Sequence, residues 1–130
     1  MKLIKILPAC GLALGVALVI ATSAFTKAPQ TKSGDPMYQF TYNPPTTNPY
    51  SVSNVENVAN WSYDPNATCP SGNVKACTIE ASHVDASDPT NPVLLSSEDI
   101  DAAATAGVAR VISTADAPSL PSSSITNRSN

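Results

Sequence analysis

His83, Asp85 and Asp88 set the one histidine of this 130-residue chain close to two carboxylates. Their types suggest a histidine general base oriented by a carboxylate, with one of the many serines as nucleophile. No Gly-x-Ser-x-Gly elbow or other nucleophile motif accompanies them, and little else of a catalytic site is met. A solvated loop histidine accounts for the pattern, so the chain is expected not to be an enzyme. Asp85, Asp88 and Asn91 offer oxygen ligands for Ca2+, but the spacing, central glycine and distal glutamate of an EF-hand are missing. Cys69 and Cys77 have seven residues between them, which fits no zinc pattern when His83 is the one histidine. They also lack the Cys-x-x-Cys spacing of redox catalysts. Neither a metal nor a cofactor is expected.

Rings form the other constellation: Tyr38, Phe40, Tyr42, Tyr50, Trp61 and Tyr63. Tyr38, Phe40, Tyr42 and Trp61 are the candidate face for a glycan or protein partner, because tyrosine and tryptophan bring contact area at low entropic cost. In a chain poor in large aliphatic residues the same rings are also the natural core, with Trp61 as its main anchor. Asn60-Trp61-Ser62, Asn66-Ala67-Thr68 and Asn127-Arg128-Ser129 match the glycosylation sequon, a pattern that chance supplies readily in an Asn- and Ser-rich chain.

The segment that decides where these residues work is the uncharged run from Ile6 to Thr26, between Lys5 and Lys27. Lys2 and Lys5 form a positive n-region, Ile6–Ala21 an apolar h-region, and small residues follow as a cleavage region requires. The best cut lies between Ala24 and Phe25, after Thr22-Ser23-Ala24; a cut after Ala28 would put Pro29 first, and one after Val19-Ile20-Ala21 is a third option. The run is nominally long enough to cross a bilayer, so an uncleaved N-terminal anchor is the alternative. Pro8, Gly11 and Gly15 dilute it, and no positive cluster follows to halt transfer. Cys10 precedes most of the apolar run and is read as one more small residue in a discarded helix, not a lipidation site.

Removing Lys2 and Lys5 leaves five basic residues against ten acidic ones, a mature charge of −5. That sign argues against nucleic acid and against anionic membrane surfaces; an unknown protein or glycan is the partner left. Twelve prolines, all but Pro8 beyond the signal, imply long loops and short elements. A core of this size is marginal. Export puts Cys69 and Cys77 in an oxidising compartment, and loss of Cys10 leaves an even number, so a structural disulfide between them is expected.

Four segments are expected: a signal over 1–24, a flexible lead-in over 25–36, a small disulfide-braced domain over 37–114 and a disordered tail over 115–130. Within the domain, Tyr38–Tyr42 alternates as a half-buried strand does, and Asn43–Pro49 breaks it. Tyr50 and Val52 alternate with serines as a second short strand, while Val55, Val58 and Trp61 recur at the spacing of a helical turn. Pro70–Asn73 is a turn, followed by a strand over Val74–Ala81 that aims Cys77 and Ile79 at the core. Ser97 caps a helix with acids in its first turn and an alanine-rich body ending at Gly107, and Val108–Ile112 returns as a final strand. The fold class is a small β-rich or α+β single domain with long loops, one disulfide and disordered termini.

The Met1–Lys5 start, the Ala-rich signal ending near Ala24, the polar mature chain and the Cys69 and Ala76–Ile79 segment resemble the small exported proteins of unknown function (DUF-type families) of Bacteroidota. The resemblance covers the signal and the middle third. It implies a bacterial, periplasmic or extracellular setting and carries over no catalytic or ligand residue. The function expected is that of an exported structural or interaction protein of the bacterial envelope or exterior.

Overall fold

A computed structural model describes residues 36–117 and 124–129. The signal over 1–24, the Ala24–Phe25 cut, Cys10 and nearly all of the lead-in lie outside the described residues. The rest is a small β-rich domain with one disulfide.

Its centre is an antiparallel four-stranded sheet. β1 (Tyr38–Tyr42) lies between β2 (Trp61–Tyr63) and β3 (Lys75–Ala81), and β3 is flanked on its other side by β8 (Ile125–Arg128). The period-two alternation of β1 turns Phe40 and Tyr42 into the core. Register then sets the aromatic packing: Tyr42 faces Trp61 and Phe40 faces Tyr63 across the β1–β2 ladder. Their centroids lie 5.1 and 6.1 Å apart, within the range for favourable ring pairs. β3 is buried on both faces, from Ala76 and Thr78 as well as from Cys77 and Ile79. Ile79 points into the core as expected.

The second short strand expected around Tyr50 and Val52 is not formed. Ser51 caps the helix α1 (Val52–Val55), its side chain accepting from Asn54 N–H. Trp61 Nε1 donates to Val55 O over 2.8 Å, which gives the buried indole its polar partner. A 3-10 turn at Val58–Asn60 leads back into β2.

The helix expected from Ser97 to Ala106 is also replaced. A 3-10 turn at Ser96–Glu98 ends on Asp99 in the left-handed region, and Asp101–Thr105 is a strand, β6, paired antiparallel with β7 (Val108–Ser113). Ala106 and Gly107 join them at φ 52° and 81°, the backbone of a type I′ hairpin turn. Alanine's helical preference is worth a few tenths of a kcal/mol per residue, too little to outweigh the ladder and the burial of Ala109 and Val111. A short pair, β4 (Val84–Asp85) with β5 (Val93–Leu94), completes the strands of the described residues.

The disordered tail expected from Ala115 onward is corrected in two places. Asp116 and Ser124 are buried, and β8 pairs with β3, with a register shift between Ala76 and Thr78. β8 runs so close to the turn after Cys69 that a Cβ on Gly72 would overlap the backbone of Arg128 and Ser129. Residues 118–123 lie outside the described residues.

Cys69 and Cys77 form the expected disulfide, with a Cα–Cα distance of 6.2 Å, ordinary for such a bridge. It ties the loop before β3 to the strand itself. In the chain-entropy model a bridge closing so short a loop contributes about 2.5 kcal/mol. Replacing both cysteines with serine is expected to lower the urea-unfolding free energy by that order, and unfolding the unaltered protein in reductant should give the same loss.

Candidate functional site

The four rings weighed as a binding face lie in or against the core, the other role their types allow in a chain poor in large aliphatic residues. Phe40, Tyr42 and Trp61 are buried in the core, and Tyr38 is half-buried with its edge against Tyr63. Tyr42 has its hydroxyl bound to Pro49 O at 2.6 Å, and burial, with some repulsion from Tyr50, pushes its pKa up to about 12. Such a group holds the loop after β1 in place. Tyr50 is the ring with charged company: Lys75 and Arg128 lie 5.3 and 5.7 Å from its centroid, and Arg128 also hydrogen-bonds its hydroxyl.

The candidate His83–Asp85–Asp88 group, set aside above in favour of a solvated loop, does not assemble. Asp85 accepts from Ser87 N–H, and Asp88 accepts from the Thr90 N–H and hydroxyl. These bonds hold both carboxyls below their ordinary range. Each is an exposed turn-forming side chain of the kind polar loops use, and Asn91 N–H is bound to Asp88 O within the same loop.

His83 turns instead to residues remote in sequence. Its Nδ1 stands 3.5 Å from Glu98 Oε2, and His83, Glu98 and Asp116 each offer an atom within 4.8 Å of the others. Among the described residues this is the one group of three such side chains. Three chain segments build it: the bend after β3 carries Ser82 and His83, the 3-10 turn carries Glu98, and the segment after β7 carries Thr114 and Asp116. Leu95 N–H donates to His83 O (3.0 Å) and Ala115 N–H to Glu98 O (2.7 Å). Ser82 holds Asp116, its N–H at 2.5 Å from Oδ2 and its hydroxyl at 2.9 Å from Oδ1.

The electrostatics of this cluster centre on Glu98. The residue is 0% exposed, while the His83 side chain is 43% exposed although its Nδ1 is buried. Neither Glu98 oxygen, nor His83 Nδ1, nor Thr114 Oγ1 makes a well-formed hydrogen bond. Burial pushes the Glu98 pKa up to about 7; the nearby Thr114 hydroxyl opposes this and the Asp116 charge adds to it. A buried carboxylate with such poorly formed hydrogen bonds is costly, so Glu98 takes up a proton near neutrality or shares a cation.

The sequence singles out His83 but points to the wrong partners for it. Locally, Glu98 has the pattern of a first-turn helical acid and Asp116 that of a polar tail, and neither residue carries a signal of burial. Two of the sequon asparagines also have structural work: Asn60 donates to Asn54 O, and Asn127 is buried with both ends of its amide engaged. No family model, curated protein or solved structure matches the chain.

Proposed function

We propose that the chain is an exported structural or interaction protein of a bacterial envelope or exterior, of the general kind it resembles. The Cys69–Cys77 disulfide carries the reading, because such bridges persist in oxidising compartments and are rare in the cytosol. The Ile6–Thr26 run behind Lys2 and Lys5 supports it as an export signal. Among the described residues no helix is long and apolar enough to cross a membrane, which is compatible with release after cleavage. The mature charge and the burial of Phe40, Tyr42 and Trp61 favour a partner met through the polar surface.

The test is to express the full-length sequence in a Gram-negative host, fractionate the cells, determine the N-terminus, and alkylate the product with and without reductant. The expected product begins at Phe25, lies in the periplasm or medium, and takes up two alkyl groups only after reduction. A product that keeps Met1 in the inner membrane replaces this reading with that of an anchored protein. Uptake of two groups by the folded mature protein without reductant removes the oxidising-compartment argument.

A further inference from the structure

The His83–Glu98–Asp116 cluster has the features of a ligand site. Among the described residues the one ion pair made by Glu98 is with His83, at 3.5 Å; no lysine or arginine neutralises it. A second carboxylate, Asp116, lies beside it, although like charges repel and buried charges need a counterpart. Glu98 is fully buried and neither of its oxygens makes a well-formed hydrogen bond, and His83 Nδ1 is buried and makes none either. Atoms able to donate electron pairs therefore converge from three segments of the chain.

We propose that His83 Nδ1, Glu98 and Asp116 bind one divalent first-row transition-metal cation, with Zn2+ the best match, leaving a coordination position for water. One imidazole and two carboxylates form a mixed nitrogen–oxygen set. Ca2+ takes six to eight oxygen ligands and Mg2+ keeps most of its waters, whereas imidazole suits Zn2+ and its first-row neighbours. Three protein ligands with one open position is a common zinc arrangement. With metal–ligand bonds of about 2.0–2.2 Å the donor atoms stand roughly 3.4 Å apart, so the present triangle, within 4.8 Å, needs to close modestly. The part-exposed His83 ring has room to do so.

The surrounding contacts suit the role. Ser82 orients Asp116 through two hydrogen bonds, as outer-shell groups orient metal-binding carboxylates. Backbone bonds from Leu95 and Ala115 fix the segments that carry His83 and Glu98. A bound cation would fasten the bend after β3, the Ser96–Glu98 turn and the segment after β7 to one another. In a domain this small it is a second brace beside the disulfide.

The experiment is calorimetric titration of the purified protein, stripped with EDTA, with ZnCl2, and separately with MgCl2 and CaCl2. One Zn2+ per chain is expected, with no comparable uptake of Mg2+ or Ca2+. Glu98→Gln and His83→Gln are each expected to weaken Zn2+ binding by at least about tenfold, with circular dichroism showing that both variants fold. X-ray absorption at the zinc edge should show nitrogen and oxygen neighbours without sulfur. Absence of stoichiometric Zn2+ uptake overturns the proposal, as does equal affinity in folded Glu98→Gln and His83→Gln. Sulfur among the metal's ligands also overturns it, since it places the metal on the cysteines.

Discussion

Asn127→Ala is expected to cost about 2–4 kcal/mol of folding stability, because it leaves two buried backbone groups unpaired at roughly 1–3 kcal/mol each. Asn127 belongs to β8, yet its side chain works as a strand would. Its Oδ1 accepts from Val111 N–H at 3.0 Å and its Nδ2 donates to Val111 O at 2.9 Å. Val111 is almost completely buried in β7. The amide thereby fastens the β6–β7 hairpin to the edge of the main sheet. Asn127→Asp separates the two bonds. The carboxylate keeps an acceptor for Val111 N–H but turns a negative oxygen towards Val111 O. It should therefore be destabilising at neutral pH and partly recover on acidification, when a protonated carboxyl can donate again. Urea-unfolding midpoints at pH 7 and pH 5 measure both effects. A loss below about 1 kcal/mol in Asn127→Ala, the net value of an ordinary hydrogen bond, would show that the hairpin is held without this amide.

The elements legible in the sequence are those whose pattern and environment agree. Tyr38–Tyr42 and Lys75–Ala81 alternate or carry enough apolar residues to read as strands, and they become the two central strands of the sheet. The cysteine pair is legible because a spacing that suits no metal or redox motif leaves a bridge as its simplest use. The elements that are not legible owe their form to partners elsewhere in the chain. Asp101–Thr105 has a helix-favouring composition and becomes a strand because Ala106–Gly107 reverses the chain and β7 supplies a ladder. Ile125–Arg128 has a single large apolar residue, and it is ordered by backbone pairing to β3 and by the Asn127 amide. The His83 cluster is half legible for the same reason. Its histidine stands out as the one in the chain, but its carboxylates arrive through the Ser96–Glu98 turn and the segment after β7, and no local periodicity announces them.

Glu98→Gln should stabilise the metal-free protein at pH 8 and have little effect near pH 4.5. The folded Glu98 carboxyl titrates at about 7 against its ordinary value of 4.5, so the folded chain holds this proton more tightly than the unfolded chain does. Its contribution is fully present below the unfolded pKa and is lost as pH rises through the folded one. Between pH 5 and pH 8 the loss is on the order of 2–3 kcal/mol, since each tenfold gain in proton affinity corresponds to about 1.4 kcal/mol. The groups facing Glu98 are His83, Asp116 and Thr114, and all three remain in the variant. Glu80, whose carboxyl is also raised by burial, contributes in the same direction to both proteins and cancels in their difference. Asp85 and Asp88 are held below their ordinary range and change charge beneath this pH window. The measurement is therefore the difference in unfolding free energy between the variant and the unaltered protein in EDTA, followed from pH 4.5 to pH 8. A difference that grows with pH locates the cost of the buried carboxylate at Glu98, and a flat difference would show that the folded carboxyl titrates near its ordinary value. Repeating the series with Zn2+ then separates the two ways of relieving that cost: the metal should raise the stability of the unaltered protein most at the alkaline end, by mass action, and leave Glu98→Gln largely unchanged.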